Sequence, residues 1–185
     1  VTQRATVSNG QSALALLASR GMMTLSQLVQ AVVGVPVKGS WWGHPKGHEI
    51  FKIATELGES PDVLVTKMGK VMFMHRMLWP ALLRLVADPA WRRRASKGLG
   101  AEARKLLRGV EKAGTLRVSG DKDARAELER RGLVLSTSEH AERGHHVAVM
   151  VSWQSWAKPE LMAEARAMDP AQAVARLRTA GLRWE

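Results

Sequence analysis

The spacing of apolar residues in this 185-residue chain predicts a mainly α fold with small β-hairpins, an α+β arrangement. Three observations carry that expectation. Ile50, Ile53, Ala54 and Leu57 recur at i, i+3, i+4 and i+7, which is one buried helix face. Residues 63–67 and 70–75 are β-rich runs on either side of Met68-Gly69, a hairpin signal. Residues 133–136 and 147–151 form a second such pair around a polar tip.

Residues 1–8 read as an N-terminal arm. A first helix spans 11–20, with Leu14, Leu17 and Ala18 at helical spacing and Gly21 as its left-handed terminator. Thr24-Leu25-Ser26-Gln27 has the capping-box form and starts a second helix. Its buried stripe is Leu25, Leu28, Val29 and Val32, and Gly34 closes it. Residues 35–43 read as a loop. A third helix begins at Pro45 or just after it and stops at Gly58, with His48, Lys52 and Thr55 facing outward. Three helices followed by a hairpin is the order of a winged helix, in which the third helix enters the major groove and the hairpin touches the backbone.

A fourth helix over 78–87 takes Pro80 in its first turn, and Asp88-Pro89 breaks the chain. Residues 91–112 hold eight basic residues against Glu102 and Glu111, a local net of +6. A helix over 101–112 carries Ala103, Leu106, Leu107 and Val110 along one side, with Leu99 just before it. Residues 115–118 suit a short strand. Ser119 or Asp121 caps the next helix, whose inward residues are Ala124 and Leu128, and Gly132 ends it. With the second hairpin, the order helix, strand, helix, hairpin repeats the earlier unit in pattern. Lys158-Pro159 and Asp169-Pro170 open two final helices, and Gly181 ends the last, leaving Trp184 to dock. The expected units are residues 1–87, a first winged helix with a linking helix; 88–157, a second winged helix; and 158–185, a helical pair.

Net charge is +11 and the isoelectric point about 10.9, which predicts attraction to polyanions, nucleic acid first and an anionic membrane second. A hydrophobic fraction of 45% allows a buried core. No apolar run approaches the length of a membrane span, and no signal-peptide pattern opens the chain. The absence of cysteine excludes disulfides and thiolate metal sites and fits a reducing cytoplasm. Aromatic usage is lopsided: seven tryptophans, two phenylalanines and no tyrosine.

Ala126-Glu127-Leu128-Glu129-Arg130-Arg131-Gly132-Leu133-Val134, followed by a hairpin tip with Glu142-Arg143-Gly144, resembles the recognition helix and wing of bacterial winged-helix regulators. The likeness covers residues 101–153. Together the two halves are similar in architecture to bacterial DNA glycosylases built from tandem winged helices, which unhook crosslinks or remove damaged bases. The glycosylases' catalytic signature, two glutamines flanking an apolar residue, is not in this chain, so no catalytic residue is carried over.

The stretch from Ser40 to Glu49 gathers Trp41, Trp42, His44, Lys46, His48 and Glu49 at one helix entrance. Trp41 and Trp42 either stack on a base or plug the gap between the second and third helices, or divide the two roles. His44, Lys46 and His48 present donors to phosphate at a helix N-terminus. The alternative, a metal held by His44 and His48, lacks a third ligand. Glu49 either polarises a water beside a histidine or complements the helix dipole. Lys67 and Lys70 flank the first hairpin tip, and Arg143, His145 and His146 lie at the second, positions that suit either backbone contact or solubilising charge. His140, Glu142 and His145 form a possible pH-sensitive or metal cluster there. Arg92, Arg93, Arg94 and Lys97 suit phosphate contact better than base reading. Met68, Met72, Met74 and Met77 suit packing of irregular core gaps.

The expected function is duplex DNA binding through recognition helices and wings, using Lys38, Trp41, Trp42, His44, Lys46, His48, Lys52, Lys67, Lys70, Arg92, Arg93, Arg94, Lys97 and Arg143. One alternative is a glycosylase or related base-excision enzyme that flips a modified base beside Trp41 and Trp42, with Glu49, His48 and His44 as its acid–base candidates. Another is a dimeric interaction scaffold joined through the C-terminal helices. No cofactor and no metal are expected.

Overall fold

The computed structural model describes residues 7–140 and 146–183, excluding the side chains of 138–140, 146 and 147. Arg143, the proposed cluster of His140, Glu142 and His145, the side chain of His146, Trp184 and most of the N-terminal arm lie outside the described residues.

The fold is mainly helical with two small three-stranded antiparallel sheets. The first unit runs α1 (Gly10–Arg20), β1 (Met22–Thr24), α2 (Leu25–Val33), α3 (Gly47–Glu59), β2 (Val63–Thr66) and β3 (Met72–His75). After α4 (Trp79–Val86) and α5 (Pro89–Ser96), the second unit runs α6 (Ala101–Ala113), β4 (Thr115–Val118), α7 (Lys122–Arg130), β5 (Leu135–His140) and β6 (His146–Val151). Helices α8 (Trp153–Trp156), α9 (Pro159–Ala167) and α10 (Pro170–Thr179) follow. The sheets have the same order, β1-β3-β2 and β4-β6-β5, with the last strand of each hairpin in the centre. The second unit has one helix between its first strand and its hairpin, where the first unit has two.

Local chemistry sets the helix starts. Asn9 and Ser12 form a reciprocal capping box at α1, and Thr24 and Gln27 form one at α2. Asp88, Asp121 and Asp169 cap α5, α7 and α10 through their carboxylates. Several expectations need correction. Strand β1 is only three residues long and runs directly into the Thr24 cap, so it left no alternation in the sequence. Helix α3 passes through Gly58, because the missing side chain makes room for Val65 and Phe73. Residues 41–43 form a 3-10 turn instead of open loop. Asp88-Pro89 ends α4 as expected, but a further helix, α5, starts at that point with Pro89 in its first turn, so Arg92, Arg93 and Arg94 lie on a helix. Strand β5 begins at Leu135, and the buried Leu133 and Val134 precede it.

Strand β3 separates two hydrophobic clusters. Its register pairs Met22, Met74 and Leu64 across the sheet, then Met23, Phe73 and Val65. Phe73, Met23 and Val63 join the cluster of α1, α2 and α3, with Leu17, Leu28, Ile50, Ile53 and Leu57. Met22, Leu64, Met72 and Met74 face the other way, into a cluster with α4, the second unit and the C-terminal helices. This alternation is the two-residue period of a strand with both faces covered. Three of the bunched methionines, Met68, Met72 and Met74, are therefore core, whereas Met77 is 55% exposed.

The C-terminal helices use their apolar faces within the chain. Ala165, Ala173, Leu177 and Leu182 are buried in the second cluster, and Arg84 Nε donates to Met168 O at 3.1 Å. Tryptophans brace the same core. Trp153 Nε1 donates to Gly132 O at 2.7 Å, Trp79 Nε1 to Met74 O at 3.3 Å, and the Trp156 ring meets both indoles edge-on. Trp91 is buried as well. Among the described residues, no helix is long and apolar enough to cross a membrane.

Met74→Ala removes a fully buried side chain from the central strand and is expected to cost about 2–5 kcal/mol in urea unfolding. Met77→Ala, at an exposed site, is expected to stay within about 0.5 kcal/mol.

Candidate nucleic-acid interface

The corner before α3 is built around Lys46. Its ammonium donates to Val32 O at 3.0 Å, satisfying a carbonyl that the end of α2 leaves open, and lies 3.8 Å from Glu49 Oε2. The Lys46 backbone N–H donates to His44 Nδ1 at 3.1 Å, so a neutral His44 ring carries its proton on Nε2. Gly47 N–H donates to His44 O at 2.7 Å, and the backbone passes so close that a Cβ on Gly47 would lie 3.0 Å from Trp42 O.

This tight turn presents three rings as a shelf. Trp41 is half-buried against the first cluster. Trp42 stacks on it with centroids 4.3 Å apart and planes 22° from parallel. Phe51, on α3, continues the series at 5.5 Å from Trp42. Trp42 is 64% exposed and Phe51 50%, so the shelf grades from core to solvent. The two tryptophans divide the structural and surface roles. Phe51 was missed in the sequence, although one signal was present: an aromatic residue standing off the buried stripe of α3.

The cationic candidates are placed as follows. Lys38 and His48 are exposed. Lys52 is exposed and 3.9 Å from Glu56, whose other oxygen accepts from Gly10 N–H at 3.0 Å. Lys46 is engaged in holding the corner. Lys67, about half exposed, pairs with the nearly buried Glu129 of α7 at 3.2 Å. Its neighbour Met68 is buried against Gly132, where φ is +67° and any Cβ would strike the methionine. The first hairpin tip is thus docked on the second unit, with Lys70 remaining exposed. Arg92 pairs with Glu111, while Arg93, Arg94 and Lys97 are exposed.

The acid–base candidates do not converge. Glu49 faces Lys46, and among the described residues neither His44 nor His48 bonds to it. Nor, among those residues, do three metal-ligating side chains gather anywhere. The corner can offer flat apolar rings and hydrogen-bond donors to a ligand.

Two substitutions test this construction. Gly47→Ala puts a Cβ 3.0 Å from the Trp42 carbonyl, which must give by a few tenths of an ångström; because that carbonyl belongs to the tight turn, the substitution is expected to cost about 1 kcal/mol and to weaken the circular-dichroism signal of the stacked indoles. Lys67→Met leaves Glu129 without its cation and is expected to cost about 1–2 kcal/mol, less than a fully buried pair because Lys67 is half exposed. Adding Glu129→Gln in that background should recover most of the loss in the same unfolding assay. Comparison of the chain with protein-family models, with curated proteins and with solved structures found no match in any of the three.

Proposed function

We propose that this protein binds DNA, with the outer face of α3 and its aromatic shelf as the contact. The observation that carries this reading is the exposure of Trp42 and Phe51, together with exposed His48 and Lys52 on the same helix as Phe51 and exposed Lys38 in the preceding loop. Contiguous apolar rings rimmed by polar groups mark interaction surfaces. A chain of net charge +11 favours a polyanionic partner. DNA supplies both halves of that chemistry: phosphates for the cations and π-faces for the rings. The reading is supported by the order of elements in the first unit, since in a winged helix the third helix is the one that enters the major groove. In a closed duplex the base faces are covered, so the shelf is best matched by a base that is unpaired or at an opened step.

The test measures binding of a paired duplex and of the same duplex carrying one unpaired base, over a range of salt. Affinity is expected to fall steeply with salt as phosphate-bound counterions are released. The duplex with the unpaired base should bind more tightly. Trp42→Ala and Phe51→Ala should each remove about 1–3 kcal/mol of binding to it, roughly 5- to 150-fold, with little loss of stability. Salt-independent binding, or equal binding by wild type and Trp42→Ala, would sink the reading.

A further inference from the structure

A second cationic feature lies at the junction of the two units. A cleft of about 530 Å³ is lined by Met68 and Gly69 of the first hairpin turn, Trp91, Arg94 and Ala95 of α5, Arg130 and Arg131 at the end of α7, and Arg183. Four of these eight residues are arginines, and among the described residues no carboxylate lines the cleft. The arginines come from three separate regions of the chain, so the tertiary fold assembles them.

Their states differ. Arg131 is fixed: its guanidinium donates to Ala95 O at 3.0 Å, Lys97 O at 2.7 Å and Glu127 Oε1 at 2.7 Å. That network ties the end of α5 to α7 and sets the width of the cleft. Arg94, Arg130 and Arg183 are exposed and have no ion-pair partner among the described residues. Met68 and Trp91 are buried apolar walls beside them. Like charges held together beside apolar walls repel one another unless an anion enters. The planar guanidinium fork matches phosphate through paired N–H donors, a fit that an ammonium lacks. The volume falls within the range of about 300–1,000 Å³ typical of ligand sites.

We propose that this cleft is a phosphate-binding site, with Arg94, Arg130 and Arg183 as the phosphate ligands and Arg131 as the positioning residue that holds the cleft in shape. The phosphate is supplied either by a nucleic-acid strand or by a free phosphorylated compound such as a nucleotide. The site does not depend on the α3 shelf.

Calorimetric titration of the full chain with inorganic pyrophosphate tests the proposal, followed by ATP and a paired DNA duplex. Wild type is expected to show one saturable pyrophosphate site. Arg94→Ala/Arg130→Ala should weaken it at least tenfold, and Trp42→Ala should leave it unchanged. Arg94→Lys/Arg130→Lys, which keeps the charge and loses the fork, should fall between them and serves if the alanine pair fails to fold. A parallel loss of duplex affinity in the arginine variants assigns the phosphate to a strand. Weakened pyrophosphate and ATP binding with unchanged duplex binding assigns it to a free compound. Absence of saturable pyrophosphate binding, or equal binding by wild type and both arginine variants, overturns the site. The α3 reading stands or falls separately, on Trp42→Ala with DNA.

Discussion

The central strand of the first sheet, β3, is covered on both faces, and the rest of the structure depends on that constraint. Phe73 points from β3 into the three-helix cluster, while Met72 and Met74 point into the cluster shared with α4 and the second unit. Burying a side chain of this size contributes roughly 1.5–3 kcal/mol, so each face of one short strand anchors a separate core. A hairpin left free as a wing would have kept one face in water. Covering it makes the sheet a common wall and docks its tip, with Met68 seated on Gly132 and Lys67 beside Glu129.

That rigidity has consequences at both surface features. With α3 fixed on the first core by Ile50, Ile53 and Leu57, the turn before it is held from two sides. Lys46 ties it to the end of α2, and Gly47 lets the Trp42 carbonyl approach closely. Trp41 packs inward and carries Trp42 out into solvent. At the other feature, docking of the hairpin turn brings Met68 and Gly69 to the arginines of α5 and α7. One surface thus offers flat rings with a few cations, and the other offers four guanidiniums, of which Arg131 is paired with Glu127. Both chemistries are familiar in nucleic-acid recognition, where stacking and phosphate contact are separate contributions.

Much of the fold was legible because its signals are local. Capping boxes, first-turn prolines and apolar stripes located α1, α2, α3, α6, α9 and α10 closely, and the paired β-rich runs located both hairpins. What escaped was short or locally ambiguous. Strand β1 has three residues, too few to show alternation, and its formation requires β3 beside it. Helix α5 carries Arg92, Arg93 and Arg94, which read as a charge run; one buried residue, Trp91, anchors it. Gly58 resembled a terminator because glycine commonly ends helices, but here it admits Val65 and Phe73 against the helix.

The candidate site divides in the same way. Residue order alone determined that aromatic and cationic groups gather before α3, that the chain is strongly basic, and that cysteine chemistry is excluded. Only the tertiary structure decided which groups face water and which serve the framework. Trp42 and Trp41 differ by one position, yet one is exposed and the other packs on a core. Lys46 and Lys67 became braces because Val32 O and Glu129, both distant in sequence, needed a donor or a counter-charge. Arg94, Arg130 and Arg183 share a cleft because helices and a hairpin from separate segments meet there. Local propensity can place an element; which side chains meet depends on contacts between elements, and those follow from closing two cores around one strand.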